Sequence, residues 1–106
     1  ATCEVEVRKG YPPVNNDERL TQNAQDAAIS YMGQENVIDL EMRPTGEDFS
    51  FYQKEIPGCF YRLGTGNKAK GITAGIHNPH FDIDEDALKT GMGLMAYLAV
   101  NELTND

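Results

Sequence analysis

The sequence contains two histidines, His77 and His80, both within Ile76-His77-Asn78-Pro79-His80-Phe81-Asp82. Imidazole is the commonest neutral metal ligand, and it titrates nearest to neutral pH. A histidine in a loop just ahead of a helix can point into a cleft, and Pro79 stiffens this loop. The pair at i, i+3 lacks the i, i+4 register of a helical zinc-protease motif. On spacing alone, the simpler reading is a loop histidine satisfied by a carbonyl or by water.

Two other stretches could carry chemistry. Gly46-Glu47-Asp48-Phe49 sets adjacent carboxylates at a helix start. They either cap the helix or support a metal ligand from behind, and as a lone feature capping is the plainer reading. Leu63-Gly64-Thr65-Gly66-Asn67 is a glycine-rich turn. It lacks the third glycine of a dinucleotide loop, and no helix follows at once. Gly64 and Gly66 therefore make either a plain turn or an exposed row of amides for a carboxylate.

These residues need elements to hold them. Cys3, Val5 and Val7 alternate with polar neighbours, which predicts a strand over 2–8 that Gly10-Tyr11-Pro12-Pro13 ends. Leu20, Ala24, Ala27, Ala28 and Tyr31 share one face of a helix over about 17–32. Asn16 or Asp17 caps it, and Gly33 stops it. Further strands are predicted at 37–42, 59–63 and 72–76, with Pro44-Thr45-Gly46 breaking the first of these. A short helix opens at Glu47-Asp48 and runs up to Pro57-Gly58. The last helix spans about 84–103, with Asp82 or Asp84 as cap. Its core stripe is Leu88, Met92, Met95, Ala99 and Leu103, widened by Gly91, Leu94 and Leu98. Helical spacing makes its methionines packing residues rather than a cofactor box. The alternation of elements predicts an α/β fold, a partial sheet with helices packed on it.

Composition narrows the function. The 106 residues carry 9 Lys+Arg against 17 Asp+Glu, a net charge of −8, which disfavours nucleic acid. No window approaches the roughly 18 apolar residues of a membrane helix, so no membrane partner is expected. Cys3 and Cys59 stand far apart without a C-x-x-C, as expected for reduced, partly buried thiols in a cytoplasmic protein. The acidic start, Ala1-Thr2-Cys3-Glu4, has no initiator Met, as expected for a piece of a longer protein.

Taken in order, five stretches resemble one family. They are Tyr11-Pro12-Pro13-Val14-Asn15-Asn16, Gly46-Glu47-Asp48-Phe49-Ser50, Ile56-Pro57-Gly58-Cys59-Phe60, Leu63-Gly64-Thr65-Gly66-Asn67 and Ile76-His77-Asn78-Pro79-His80-Phe81-Asp82-Ile83-Asp84-Glu85. Together they resemble the C-terminal part of the zinc-dependent amidohydrolases and metallopeptidases. That family includes aminoacylases, hippurate hydrolases, auxin-conjugate hydrolases and glutamate carboxypeptidases, and the hippurate hydrolase branch is the most similar.

The resemblance implies a di-metal aminopeptidase-like catalytic domain with an inserted lid. Residues 1–13 would be the last lid strand and its return turn, and 14–106 the closing part of the catalytic domain. It implies His77 as a ligand to a divalent metal, zinc foremost, with manganese or cobalt as alternatives. Two metals would serve the full-length site. His80 falls where the family often has Arg, and no ligand role carries over to it. Glu47 and Asp48 would lie near the metal as supporting residues, and Gly64 and Gly66 near the substrate's carboxylate.

The implied reaction is hydrolysis of an N-acyl amino acid or peptide-like amide by metal-activated water. The family's other ligands and its general base lie upstream of this stretch, so no catalytic residue is assigned here and the chain alone is expected to be inactive. Uncovered strand edges and helix faces predict that the chain alone either self-associates or occurs as a fragment of a larger molecule, and a homo-oligomer is expected. The alternative is a non-catalytic acidic α/β interaction module that binds through a strand edge at 2–8.

Overall fold

A computed structural model describes residues 1–43 and 45–105. It contains three α-helices: α1 at Glu18–Met32, α2 at Phe49–Glu55 and α3 at Asp86–Thr104. Two 3-10 turns, Gln34–Asn36 and Lys68–Lys70, lie between them. The expected α/β fold is overturned, because the described residues contain no strand and no sheet. Two isolated antiparallel bridges, Pro13 with Gly46 and Asn67 with Ile72, are the backbone pairings of β type.

The physical reason is visible in the exposures. Alternation is a property of one segment, whereas a strand's hydrogen bonds need a second segment alongside. Residues 2–8 stand in solvent, with Val5 77% and Val7 84% exposed. Residues 37–42 do the same through Ile38, Leu40 and Met42. Residues 59–63 and 72–76 keep some period-two burial, with Tyr61, Leu63, Ile72 and Ala74 half-buried, but they join no ladder. Pro44, the expected breaker, lies outside the described residues. Residues 2–8, the edge expected of an interaction module, form no strand.

The chain divides into two compact units. One comprises Ala1–Gln22 with Asp39–Phe60. Its connections centre on Asn16 and α2. The Asn16 side chain accepts from the Phe60 amide at 2.8 Å and donates to the Phe60 carbonyl at 2.9 Å. Gln53 of α2 donates to the Asn16 oxygen at 3.0 Å and to the Gly58 carbonyl at 3.2 Å. Asp17 is the cap of α1, because its carboxylate accepts from the Leu20 amide at 2.9 Å. Asn16, the other expected cap, is instead committed to Phe60. Phe49 packs on Phe60 with ring centroids 5.5 Å apart, and Tyr11 meets Phe51 edge-on at 5.4 Å.

The other unit comprises Asn23–Ile38 and the chain from Tyr61 onward. Here the later turns of α1 pack against α3. Asn23 donates to Glu102 at 3.2 Å, and Tyr97 donates to Ser30 at 3.3 Å. Early residues of one helix thus meet late residues of the other, so the two run antiparallel. Ala27 and Leu94, each 4% exposed, are the buried apolar residues. Gly93 lets α3 approach closely, since the Tyr31 hydroxyl sits where a Cβ would be. The Tyr31 and Tyr97 rings pack 5.4 Å apart. Gly33 ends α1 with φ +89, a conformation that side chains other than glycine's resist.

The α3 core stripe is also corrected. Leu88, Met92, Met95 and Leu103 are 54%, 70%, 58% and 82% exposed. The packed face runs through Ala87, Gly91, Leu94 and Leu98. The helix carries apolar residues around a wide arc; Ala99 of the expected stripe is exposed as well, and Gly93 is where the helix meets Tyr31 of α1. Among the described residues, no helix is long and apolar enough to cross a membrane.

Candidate functional site

The loop that follows Leu63 is built around Asn67. Asn67 and Ile72 exchange backbone hydrogen bonds, each 2.9 Å long. Between them Lys68–Lys70 forms a 3-10 turn, and Gly71 closes it in the left-handed conformation at φ +72. Neither Gly64 nor Gly66 has positive φ. An amide nest alternates right- and left-handed residues, so these two glycines do not form one. A Cβ on Gly64 would meet nothing within 4 Å, so the backbone there stands open to an approaching group.

From Ile72 the chain runs out to the histidines and returns. Asn78 donates its amide to the Gly75 carbonyl at 3.2 Å, and Phe81 donates to the Asn78 carbonyl at 2.9 Å. The Asn78 side chain accepts from the His80 amide at 2.9 Å. His77 and His80 therefore sit on consecutive tight turns, and both are exposed.

The return is anchored at Asp84. Its amide donates to the Thr65 carbonyl at 2.8 Å, between Gly64 and Gly66. Its carboxylate accepts from Asn67 at 2.7 Å and from Lys70 at 2.8 Å. Lys70 also reaches Asp86 at 3.1 Å. The Asp84 side chain is 14% exposed. The Asn67 and Lys70 hydrogen bonds hold its carboxyl at a pKa of about 2, and the same contacts with Asp84 and Asp86 raise that of Lys70. The N-cap position of α3 is Glu85, whose side chain makes no capping bond, so neither Asp82 nor Asp84 is the cap; Asp84 accepts from the Asp86 amide at 3.3 Å and Asp82 from the Ile83 amide.

Glu47 and Asp48 lie in the other unit. Asp48 occupies the N-cap position of α2, but its side chain bonds no amide of the first turn. The Glu47 carboxylate accepts from the Phe49 amide at 3.4 Å, and the Ser50 hydroxyl donates to the Glu47 carbonyl. Capping by Asp48 is thereby corrected, because the neighbouring Glu47 makes the contact. Cys59 is half-buried and Cys3 is exposed, both as free thiols, so the expectation of partial burial holds for Cys59 alone.

The structure thus gathers Gly64, Gly66 and His77 into one unit. Sequence reasoning missed the clasp of Asn67, Lys70 and Asp84, taking Asp84 for a cap alone. A signal was present: Lys68 and Lys70 are concentrated basic residues in a strongly acidic chain, ahead of the acidic run 82–86. As for a metal, the described residues contain no group of three His, Cys, Asp or Glu that could hold one. A catalytic zinc takes about three protein ligands. His77 offers a single accessible imidazole, so these residues do not by themselves complete a metal centre.

Comparison with known proteins gives the class. The profile of Peptidase family M20/M25/M40 matches residues 2–101, and the chain belongs to this family, whose members are generally metal-dependent hydrolases. The chain is 37% identical over 98 residues to the IAA-amino acid hydrolase ILR1-like 4 of Arabidopsis thaliana, covering 92% of this chain and 22% of that protein. It is 42% identical over 91 residues to an uncharacterized hydrolase of Staphylococcus aureus strain N315, covering 81% and 22%. It is 35% identical over 101 residues to a probable hydrolase of Synechocystis, covering 93% and 25%. The chain therefore spans about a quarter or less of the length of these relatives. No solved structure matches it significantly.

Proposed function

We propose that this chain is the C-terminal part of a metal-dependent amidohydrolase that cleaves N-acyl amino acids or related amides. The observation that carries the reading is the family match over residues 2–101, which includes the whole His77 loop. The relative named as an IAA-amino acid hydrolase supports an amide joining an acyl group to an amino acid as the substrate class. The hippurate hydrolase and aminoacylase type is the form of that activity we favour.

In this reading His77 supplies one imidazole to a divalent metal, zinc foremost, and the remaining ligands come from the rest of the protein. The loop of Gly64 and Gly66, open at Gly64, takes the substrate's carboxylate. Glu47 and Asp48 act in support. Residues 1–13 belong to an inserted lid and 14–106 to the catalytic domain. The whole protein is a cytoplasmic homo-oligomer without a nucleic-acid or membrane partner. The chain by itself does not turn over substrate.

The test is amide hydrolysis by the whole protein that carries this chain. N-benzoyl- and N-acetyl-amino acids should be cleaved, and a chelator should abolish cleavage that added divalent metal restores. Absence of cleavage across acyl-amino acids with metal supplied overturns the reading.

A further inference from the structure

The segment that carries His77 is closed on itself at both ends by one residue. Ile72, where it begins, shares two backbone hydrogen bonds with Asn67. Asp84, where it ends, takes the Asn67 side-chain amide on its carboxylate at 2.7 Å. Lys70 adds a second donor to the same carboxylate at 2.8 Å. The Asp84 amide meanwhile holds the Thr65 carbonyl at 2.8 Å. Between these anchors two hydrogen-bonded turns carry His77 and His80. Charge-assisted hydrogen bonds on a side chain that is mostly shielded from solvent are the strong kind.

We propose that Asp84 is a positioning residue that closes the His77 loop and seats the Gly64–Gly66 backbone against it, so that the histidine and the carboxylate-receiving loop move as one body. The proposal rests on the function proposed above for its consequence in turnover, but its structural half stands alone. Asp84 touches neither substrate nor metal in this scheme. Its carboxylate acts through Asn67 and Lys70, and its backbone acts through Thr65.

The experiment has two arms. In the whole protein that carries this chain, Asp84→Ala and Lys70→Met are compared with the unmodified protein by amide chemical shifts. Both substitutions should shift the signals of residues 64–66 and of His77, which the replaced side chains do not hydrogen-bond. Changes confined to 67–70 and 84–86 overturn the coupling. Lys70 is half-exposed, so Lys70→Met keeps this arm decisive if Asp84→Ala does not fold.

In the whole hydrolase, kcat/KM is measured for an N-acyl amino acid and for its carboxamide, which lacks the carboxylate. Loss of one charge-assisted bond should lower the carboxylate-to-carboxamide ratio by roughly tenfold, mainly through KM. An equal loss on both substrates marks a merely structural role and overturns the proposal. Absence of turnover by the unmodified enzyme counts against the proposed function, and the shift measurements then decide the coupling.

Discussion

The side-chain amide of Asn16 bonds both backbone groups of Phe60, accepting from its N–H at 2.8 Å and donating to its carbonyl at 2.9 Å. A side chain thus does for Phe60 what a neighbouring strand does in a sheet. Asn16→Ala removes both bonds at once and leaves Gln53 without an acceptor on this residue. It should cost on the order of 2–3 kcal/mol, read as a lower urea midpoint at unchanged slope. A cost below about 0.5 kcal/mol would mean that water replaces the carboxamide.

The two faces of α3 should respond oppositely. Leu94 is 4% exposed, so Leu94→Ala should lose about 2–5 kcal/mol. Leu103 is 82% exposed, so Leu103→Ala should stay within about 0.5 kcal/mol. Thermal melts of the two variants check the assignment, and comparable losses would contradict it.

This helix also marks where sequence reading stops. Two apolar stripes run along it, and hydropathy does not distinguish them. What distinguishes them is contact: Gly91 against Leu63, and Gly93 against Tyr31. The ends of α1 were legible because caps are local, through Asp17 at its start and Gly33 at its stop. The strands at 2–8 and 37–42 were misread because alternation says nothing about a partner. At the site, the motifs singled out His77 and the glycine loop. The clasp that joins them links residues 17 apart through side chains, and the basic residues ahead of the acidic run 82–86 signal it without fixing the partners.

Asp48→Ala should change stability by less than about 0.5 kcal/mol, since its side chain caps no amide. Glu47→Ala should cost more, because Glu47 reaches the Phe49 amide. Chemical denaturation of both variants orders them, and the reverse order would restore Asp48 as the cap.

Acid should loosen the clasp. The Asp84 carboxyl is lowered from 3.8 to about 2 by Asn67 and Lys70. A group with a depressed folded pKa stabilises the fold above its unfolded value, and that contribution is lost as pH falls through the folded one. Stability should therefore decline between about pH 4 and pH 2, and Asp84→Asn should flatten that part of the profile. The pKa of Lys70 is raised, so its share persists through the ordinary lysine range and is lost above it. Thermal melts across the acid range read the effect, and identical profiles for the two proteins would contradict it.

The proposed function makes His77 a metal ligand of an amidohydrolase. The most direct measurement is bound metal per subunit, with turnover of an N-acyl amino acid, in the whole protein before and after His77→Ala. The account expects metal content to fall and kcat to drop on the order of a hundredfold or more, with circular dichroism unchanged. Full metal occupancy with normal turnover in the His77→Ala protein would contradict it.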